Sequence, residues 1–314
     1  MLFSVVIPLY NKADTIERTI RSVWAQSFND YELIVVNDGS TDGSLDVVTR
    51  LSSESPIVII DKKNGGVSSA RNAGGNVASG RYIALLDGDD VWYPNHLEML
   101  ASAIMRHPNV SFFGMGYERL LNQCIYYTIP WGGCCVKDVY SAFRYGQPIN
   151  SSTVAIERCL WHEVGGFDES LSYYEDYEFF FRLGQFTKCC IVRKISGRYM
   201  DDASMHATAS KRSVTPRSRP HLAFVEDKIQ NGTASDSMIS CARTHLGLMI
   251  CSACTANNVE MIDLLLGLFP NISAPYRFMQ VSTCIKRIVN KLYAKIFIVN
   301  YKIRCHLVVW RRHE

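Results

Sequence analysis

Short apolar segments alternate with amphipathic segments along the first part of the chain, and this alternation restricts the possible folds more than any other feature. The strand-like apolar segments are residues 4–10, 31–36, 57–60 and 82–86. The segments with helical spacing of apolar residues are 15–24, 45–51 and 68–77. Because parallel strands need a crossover connection, usually a helix, this order predicts an α/β fold with helices on both faces of a parallel sheet.

Polar residues stand directly after three of these predicted strands. They are Tyr10 and Asn11 after the first strand, Asn37 and Asp38 after the second, and Asp87, Asp89 and Asp90 after the fourth. Ligands of such sheets bind beyond the carboxyl ends of the strands. We therefore expect the three polar groups to converge on one edge of the sheet and to form the functional site there.

The acidic segment 85–90, LLDGDD, is the strongest single indication of chemistry. Its three carboxylates lie within four positions, and such crowding is unfavourable unless a cation neutralises the charge. Mg²⁺ and Mn²⁺ prefer oxygen ligands, and Mg²⁺ commonly binds carboxylates together with substrate phosphates. A solvated turn rich in Asp and Gly is the alternative. The apolar strand before the segment favours the metal site.

Two other segments suggest a site but are weak indications on their own. The glycine-rich segment 64–74 contains Arg71, a permanent cation suited to phosphate, although it matches neither the dinucleotide-binding nor the P-loop pattern. A helix start with a surface arginine is the alternative. Glu175 and Asp176 begin a predicted helix, 174–183, whose amino end keeps a carboxylate ionised and able to accept a proton from a hydroxyl. Simple capping of that helix is the alternative.

Taken in this order, the segments resemble the family 2 glycosyltransferases, which have the GT-A fold. The matching segments are SVVIPLYN at 4–11, VVNDGSTD at 35–42, GGVSSARN at 65–72, LLDGDD at 85–90, and GGFD at 165–168 followed by Glu175 with Asp176. Five such segments in register are far more specific than any one of them. The resemblance covers roughly residues 1–205 and implies a Rossmann-like, mostly parallel sheet flanked by helices.

The resemblance implies an inverting glycosyltransferase that takes a sugar from a nucleotide-diphosphate donor, expected to be a UDP-sugar. It implies that Pro8 and Tyr10 lie against the nucleotide base and that Asp38 forms a hydrogen bond with the base. Arg71 would lie near the base and the diphosphate. Processive members carry a Gln-x-x-Arg-Trp motif and transmembrane helices, which this sequence lacks, so we expect one sugar to be transferred per visit.

The resemblance also assigns the metal and the proton transfer. Asp89 would bind a Mn²⁺ or Mg²⁺ ion that bridges the two donor phosphates, and Asp87 would contact the ribose or the water shell of the metal. Asp176 would act as the general base, with Glu175 beside it. The stretch 198–204 departs from the Tyr-Arg-x-His-like segment of many relatives. The resemblance therefore does not assign the residues that would close over the donor.

Two other functions remain as alternatives. A nucleotidyltransferase of the same fold usually has a glycine-rich loop after the first strand, whereas residues 8–12 contain no glycine. A catalytically silent protein that only binds nucleotide sugars is the second alternative, and the presence of Asp89, Asp176 and Arg71 together argues against it. We therefore favour the enzyme, acting in the assembly of cell-surface polysaccharide or glycolipid.

The sequence predicts three regions. They are a catalytic domain at 1–205, with a nucleotide-sugar half at about 1–110 and an acceptor half at about 111–205, a polar loop or hinge at 206–240, and a helical extension at 241–314. Between residues 281 and 310 apolar residues recur at helical spacing and Lys and Arg dominate the charges. This predicts a basic amphipathic helix for an anionic membrane surface, with packing on the protein as the alternative.

Bulk properties set the expected partners and location. The chain has no uninterrupted apolar run of about 18 residues and no signal sequence, so we expect neither a spanning helix nor export. Its net charge of +3 is too small to predict binding to nucleic acid, and its 11 cysteines are expected to be mostly reduced. We expect a cytoplasmic protein, peripheral on the cytoplasmic face of the membrane, whose acceptor is a saccharide or lipid-linked saccharide.

Overall fold

The computed structural model describes residues 1–121, 124–128, 135–144, 146–200, 219–256 and 258–273. These residues form two compact units, which are described separately below. The first unit combines residues 1–137 with 148–200, and the second combines 138–147 with 219–273. The predicted basic helix at 281–310 lies outside the described residues and stays a prediction.

The first unit contains the strands β1 (Phe3–Leu9), β2 (Tyr31–Asp38), β3 (Val58–Lys62), β4 (Tyr82–Leu85), β5 (Val91–Trp92), β6 (Phe112–Leu121), β7 (Cys124–Thr128), β8 (Cys135–Lys137), β9 (Val154–Glu157) and β10 (Cys189–Met200). Its helices are α1 (Ile16–Trp24), α2 (Ser44–Ser52), α3 (Val67–Val77), α4 (His96–Arg106), α6 (Arg158–Val164) and α7 (Glu175–Leu183), whereas α5 (Val139–Phe143) belongs to the second unit. A short 3-10 helix, Ser151–Thr153, immediately precedes β9.

The strands form one mixed sheet in the order β3-β2-β1-β4-β9-β6-β10-β5, with β7 beside β6 and β8 beside β10. Strands β1 to β4 are parallel, as the helices between them predict. The rest of the sheet is mixed: β6 and β10 pair parallel, whereas β5, β7, β8 and β9 pair antiparallel with their neighbours. Strand β6 ends at Leu121 and β7 begins at Cys124, and only antiparallel strands can be joined by so short a connection.

Helices cover both faces of the parallel half of the sheet. All seven residues of β1 are buried, as expected for a strand with packing on each side. Val5 belongs to a hydrophobic cluster that includes Ile20 of α1. Val6 points to the other face, where a methyl group on Gly74 of α3 would lie only 2.3 Å from Val6 Cγ1. The close approach of α3 to the sheet therefore requires glycine at position 74.

The second unit is helical in its described part. It contains α5, α8 (Pro220–Gln230), α9 (Asp236–Thr255) and α10 (Val259–Leu268). Helices α9 and α10 account for the helical pattern predicted from residue 241, and the side chain of Asn258 caps α10 by accepting a hydrogen bond from the Met261 amide. None of the helices in the described regions is long and apolar enough to cross a membrane.

Helix α8 corrects the predicted polar loop or hinge over 206–240 for the described residues from 219 onward, whereas residues 206–218 lie outside the described part of the chain. Pro220 occupies the first turn of this helix, where its missing N–H costs no hydrogen bond. Leu222 and Val225 are fully buried one turn apart, and the Glu226 carboxylate accepts hydrogen bonds from the amides of residues 271 and 272. These buried contacts stabilise a helix in a segment whose polar composition favours a loop.

His96 makes the stability of the first unit dependent on pH. The imidazole is completely buried and stacks on the Trp92 indole, with 3.9 Å between ring centroids. Burial lowers the pKa of His96 from 6.5 to about 3, so the folded protein keeps this histidine neutral. The unfolded chain binds a proton below about pH 6.5, and folding stability is therefore lost as the pH falls from 6.5 towards 3.

We expect protonation of His96 in the unfolded chain to lower the free energy of unfolding by about 2 kcal/mol when the pH is reduced from 7 to 5. Urea denaturation of wild type and His96→Phe at both pH values tests the effect, because Phe keeps the aromatic stacking but cannot take up a proton. The variant should lose less stability than wild type over this interval. Equal losses in the two proteins would contradict the assignment.

Candidate active site

A cleft of about 690 Å³ opens at the carboxyl ends of β1, β2 and β4. Its lining includes Pro8, Tyr10, Asp38, Asp87 and Asp89, so the structure brings these predicted residues together on one edge of the sheet. The Tyr10 ring is 48% exposed and offers an aromatic face at the opening. The cleft has the size and polar groups of a small-molecule site.

The loops after β1 and β2 are joined by hydrogen bonds that shape one wall of the cleft. Asn11 has a positive φ of 51°, a conformation that Asn tolerates better than most residues. Its side-chain oxygen accepts a hydrogen bond from the Thr41 amide at 2.8 Å, and its own amide donates to Ser40 Oγ at 3.1 Å. These bonds fix the direction in which Tyr10 faces the cleft.

Asp38 is buried at the end of β2 and organises the start of α3. Its two carboxylate oxygens accept hydrogen bonds from the amides of Gly65 and Gly66, at 2.9 and 2.8 Å, and from Lys62 Nζ at 2.6 Å. Each oxygen has more than one lone pair, so a nucleotide base can still bind there. Contact with the base stays a prediction, whereas the anchoring of residues 65 and 66 is a feature that sequence analysis missed.

Each of the two candidate metal carboxylates is paired with a cation of the chain. Asp87 accepts a hydrogen bond from Arg71 Nη2 at 2.7 Å, and Asp89 accepts one from Lys12 Nζ at 2.5 Å. Lys12 stands immediately after the SVVIPLYN segment and also lines the cleft, but no sequence pattern indicates its pairing with Asp89. These pairs neutralise much of the charge that made the acidic segment conspicuous.

Asp90, the third acid of the segment, points away from the cleft into the protein. It is 1% exposed, and its carboxylate accepts hydrogen bonds from Ser152 Oγ and from the Met200 amide. Burial, together with the nearby charges of Asp87 and Asp89, raises the pKa of Asp90 well above its ordinary value. Asp90 therefore anchors the turn 87–90 in the protein interior and does not face the cleft.

The residues fit a metal ion that is shared with a bound phosphate. No cluster of three or more His, Cys, Asp or Glu side chains suited to a metal occurs in the part of the chain that the structure describes. Mg²⁺ often takes only one or two protein carboxylates and completes its shell with water and substrate phosphates. Asp87 and Asp89 can supply such carboxylates at the cleft, provided that Lys12 releases Asp89.

Arg71 lies behind the cleft, where it bridges two carboxylates. It is 3% exposed and donates to Asp87 at 2.7 Å and to Glu175 at 3.2 Å, and its guanidinium lies over the Phe167 ring. Burial lowers the pKa of Arg71, but the carboxylates around it outweigh this effect and raise it overall. Its predicted position near the base and diphosphate stays a prediction; the described lining of the cleft includes its partner Asp87 but not Arg71 itself.

Glu175 and Asp176 lie in the first turn of α7, as predicted. Tyr174, at the start of the helix, has a positive φ of 55°, and three buried phenylalanines at 179–181 anchor the helix in the core. Through Arg71, Glu175 is connected to Asp87 at the cleft. Asp176 therefore lies next to a residue that is tied to the acidic segment.

The glycine segment before α7 is held against α3. Asn72 accepts a hydrogen bond from the Phe167 amide and donates to the Phe167 carbonyl, at 2.8 and 2.9 Å. Gly166 has a φ of +69°, and a methyl group there would lie 2.4 Å from Asn72 Oδ1. These contacts explain why the GGVSSARN and GGFD segments occur in the same chain.

Parts of this chain are similar to known glycosyltransferases. The model of glycosyl transferase family 2 matches residues 4–128, which include the cleft lining except Tyr199 and Met200 but not the candidate base at 175–176. A chondroitin synthase of Pasteurella multocida is 30% identical over 204 residues, covering 62% of this chain and 20% of that protein. The UDP-Glc:alpha-D-GlcNAc-diphosphoundecaprenol beta-1,3-glucosyltransferase WfgD of Escherichia coli is 34% identical over 161 residues, covering 51% of this chain and 61% of that protein. The chain thus spans less than two thirds of either relative.

Solved structures share the fold. S. aureus TarS 1–349 in complex with UDP-GlcNAc matches with a TM-score of 0.72 and 17% identity, covering 96% of this chain and 92% of that one. The mannosyltransferase PcManGT from Pyrobaculum calidifontis, in complex with GDP-Man and Mn²⁺, matches with a TM-score of 0.53 and 17% identity, covering 98% and 84%. At this level of identity the similarity establishes the fold of glycosyltransferases of the GT-A type.

Proposed function

We propose that this chain, whose residues 4–128 match the model of glycosyl transferase family 2, transfers one sugar from a nucleotide-diphosphate donor to an acceptor hydroxyl with inversion. The observation that carries the proposal is the cleft at the carboxyl ends of β1, β2 and β4. It gathers an aromatic face at Tyr10 and the carboxylates of Asp38, Asp87 and Asp89 within the matched domain.

The donor is proposed to be a UDP-sugar. Support comes from the relative whose name specifies UDP-Glc and from the TarS complex with UDP-GlcNAc. In this chain the base would lie against Pro8 and the exposed ring of Tyr10, within reach of the Asp38 carboxylate. The PcManGT complex holds GDP-Man, so the same fold accommodates another base.

The leaving diphosphate needs positive charge as the bond to the sugar breaks. A Mn²⁺ or Mg²⁺ ion at Asp89 and Asp87 would stabilise that developing negative charge. Lys12 contributes a further cation at the same wall, because its ammonium lies at Asp89 and lines the cleft. Arg71 acts indirectly, since its guanidinium holds the Asp87 carboxylate from behind the cleft.

Proton removal from the acceptor is assigned to Asp176. A single displacement needs one base and no covalent nucleophile, and a carboxylate at a helix start remains ionised and can accept the proton. Glu175 would orient the beginning of α7 through its bond to Arg71. The acceptor would enter on the side of α7 and attack the sugar from the face opposite the diphosphate.

The acceptor is proposed to be a saccharide or lipid-linked saccharide in cell-surface polysaccharide or glycolipid assembly. The name of the Escherichia coli relative specifies a diphosphoundecaprenol-linked acceptor. A lipid-linked acceptor would place the protein at the cytoplasmic face of the membrane, where the basic segment 281–310 suits anionic lipid. Vesicle sedimentation with and without anionic lipid checks this location.

A thermal-shift screen of nucleotide sugars, with and without Mn²⁺, tests the proposed activity. A UDP-sugar with Mn²⁺ should raise the melting temperature, because a ligand that binds only the folded state stabilises it. Asp89→Asn should remove the metal-dependent part of this rise and slow donor hydrolysis at least about tenfold. Asp46→Asn, an exposed change of the same kind in α2 and outside the described lining of the cleft, should retain both. The proposal fails if no nucleotide sugar is bound or hydrolysed by wild type.

A further inference from the structure

The Ser152 hydroxyl closes the acidic turn from a distant part of the chain. Ser152 lies in the 3-10 helix before β9 and is buried. Its Oγ accepts a hydrogen bond from the Asp87 amide at 3.0 Å and donates one to Asp90 Oδ2 at 2.5 Å. One hydroxyl therefore holds both ends of the four-residue turn that presents the candidate metal carboxylates.

The same bonds connect this turn with the end of β10. The second oxygen of Asp90 accepts a hydrogen bond from the Met200 amide at 3.0 Å, and Met200 lines the cleft together with Asp87 and Asp89. Ser152 is itself fixed, because its carbonyl accepts a hydrogen bond from the Trp92 indole at 2.5 Å. Two walls of the cleft, the turn 87–90 and the end of β10, are thus held by the buried pair of Ser152 and Asp90.

We propose that Ser152 is a positioning residue for donor binding, which sets the direction of Asp87 and Asp89 towards the metal and diphosphate. This inference rests on the proposed function. The Ser152 hydroxyl accepts from a backbone amide and donates to a carboxylate through one oxygen atom, which alanine cannot do. Without it, the Asp87 amide and one oxygen of Asp90 are left buried and unpaired, and the turn relaxes to satisfy them.

Ser4 provides a matched control at the other end of the sheet. Its buried hydroxyl also accepts from a backbone amide, that of Gly80 at 2.8 Å, and donates to a carboxylate, that of Glu32 at 2.5 Å. Ser4 lies near the amino end of β1, whereas the cleft opens at the carboxyl end. Removing either hydroxyl disrupts the same kinds of hydrogen bond, so a purely structural role predicts the same outcome for both.

Calorimetric titration with UDP and Mn²⁺ and thermal unfolding test the proposal on the full chain. We expect Ser152→Ala to fold and to bind UDP with Mn²⁺ at least about tenfold more weakly than wild type. Ser152→Thr should recover most of the affinity, and Ser4→Ala should lower the melting temperature without changing the affinity.

Wild-type affinity in Ser152→Ala, whatever its melting temperature, would overturn the proposal and leave the proposed function intact. The same holds if Ser4→Ala weakens binding as much as Ser152→Ala does, since loss of stability then explains both. If wild type itself binds no UDP with Mn²⁺, the inference and the proposed UDP donor both fail.

Discussion

Replacing Asp176 by Asn is expected to lower the rate of sugar transfer about a thousandfold while leaving donor binding unchanged. A positioned general base typically contributes a factor of about 10² to 10⁴, and an amide of the same shape cannot accept the proton. The variant should fold, because α7 is anchored by the buried rings of Phe179, Phe180 and Phe181 rather than by Asp176. The described lining of the donor cleft does not include Asp176, so the affinity for the nucleotide should persist.

Single-turnover transfer and calorimetric binding of UDP, measured on the same preparation, separate these two effects. Glu163→Gln removes an exposed carboxylate from the neighbouring helix α6 and serves as a control that should change neither quantity. Full activity in Asp176→Asn would exclude this residue as the base. Equal loss of transfer and of UDP binding would indicate a role in the donor site instead.

The parallel half of the fold and the location of the cleft could be predicted from the sequence because their causes are local. Strand and helix patterns alternate along residues 1–90, and the carboxyl ends of parallel strands necessarily share an edge. The rest of the sheet carries no such constraint, since it combines antiparallel pairs with the parallel pair of β6 and β10, and its order, with β9 between β4 and β6, depends on contacts distant in sequence.

The side-chain partners of the site were less predictable than its location. Ser152 is 65 positions from the amide that it binds, and Arg71 is 16 and 104 positions from its two carboxylates. Pairing over such separations depends on the tertiary structure and leaves no local pattern. The sequence therefore predicts a contact of Arg71 with the diphosphate, on the basis of its glycine-rich surroundings, and does not predict its two ion pairs. In the structure Arg71 links Asp87 of the cleft to Glu175 of the helix that carries the candidate base.

This link leads to the second large effect, expected for Arg71→Met. The substitution keeps much of the volume but leaves the partly buried carboxylates of Asp87 and Glu175 without their cation. Breaking such a pair costs about 3–5 kcal/mol for fully buried charges, and the partial exposure of both acids places the expected loss near about 3 kcal/mol. Transfer should fall about a thousandfold, because Asp87 and the start of α7 both lose their orientation.

A second substitution distinguishes a positioning role of Arg71 from a role in stability alone. In the double variant with Arg71→Met and Glu175→Gln, one of the two uncompensated charges is removed, so urea denaturation should show about half of the lost stability restored. Transfer should remain as low as in Arg71→Met, because the connection between Asp87 and α7 is still absent. Recovery of transfer in parallel with stability would mean that Arg71 serves the fold only. If the double variant recovers neither stability nor transfer, the guanidinium acts mainly through Asp87, on the donor side of the site.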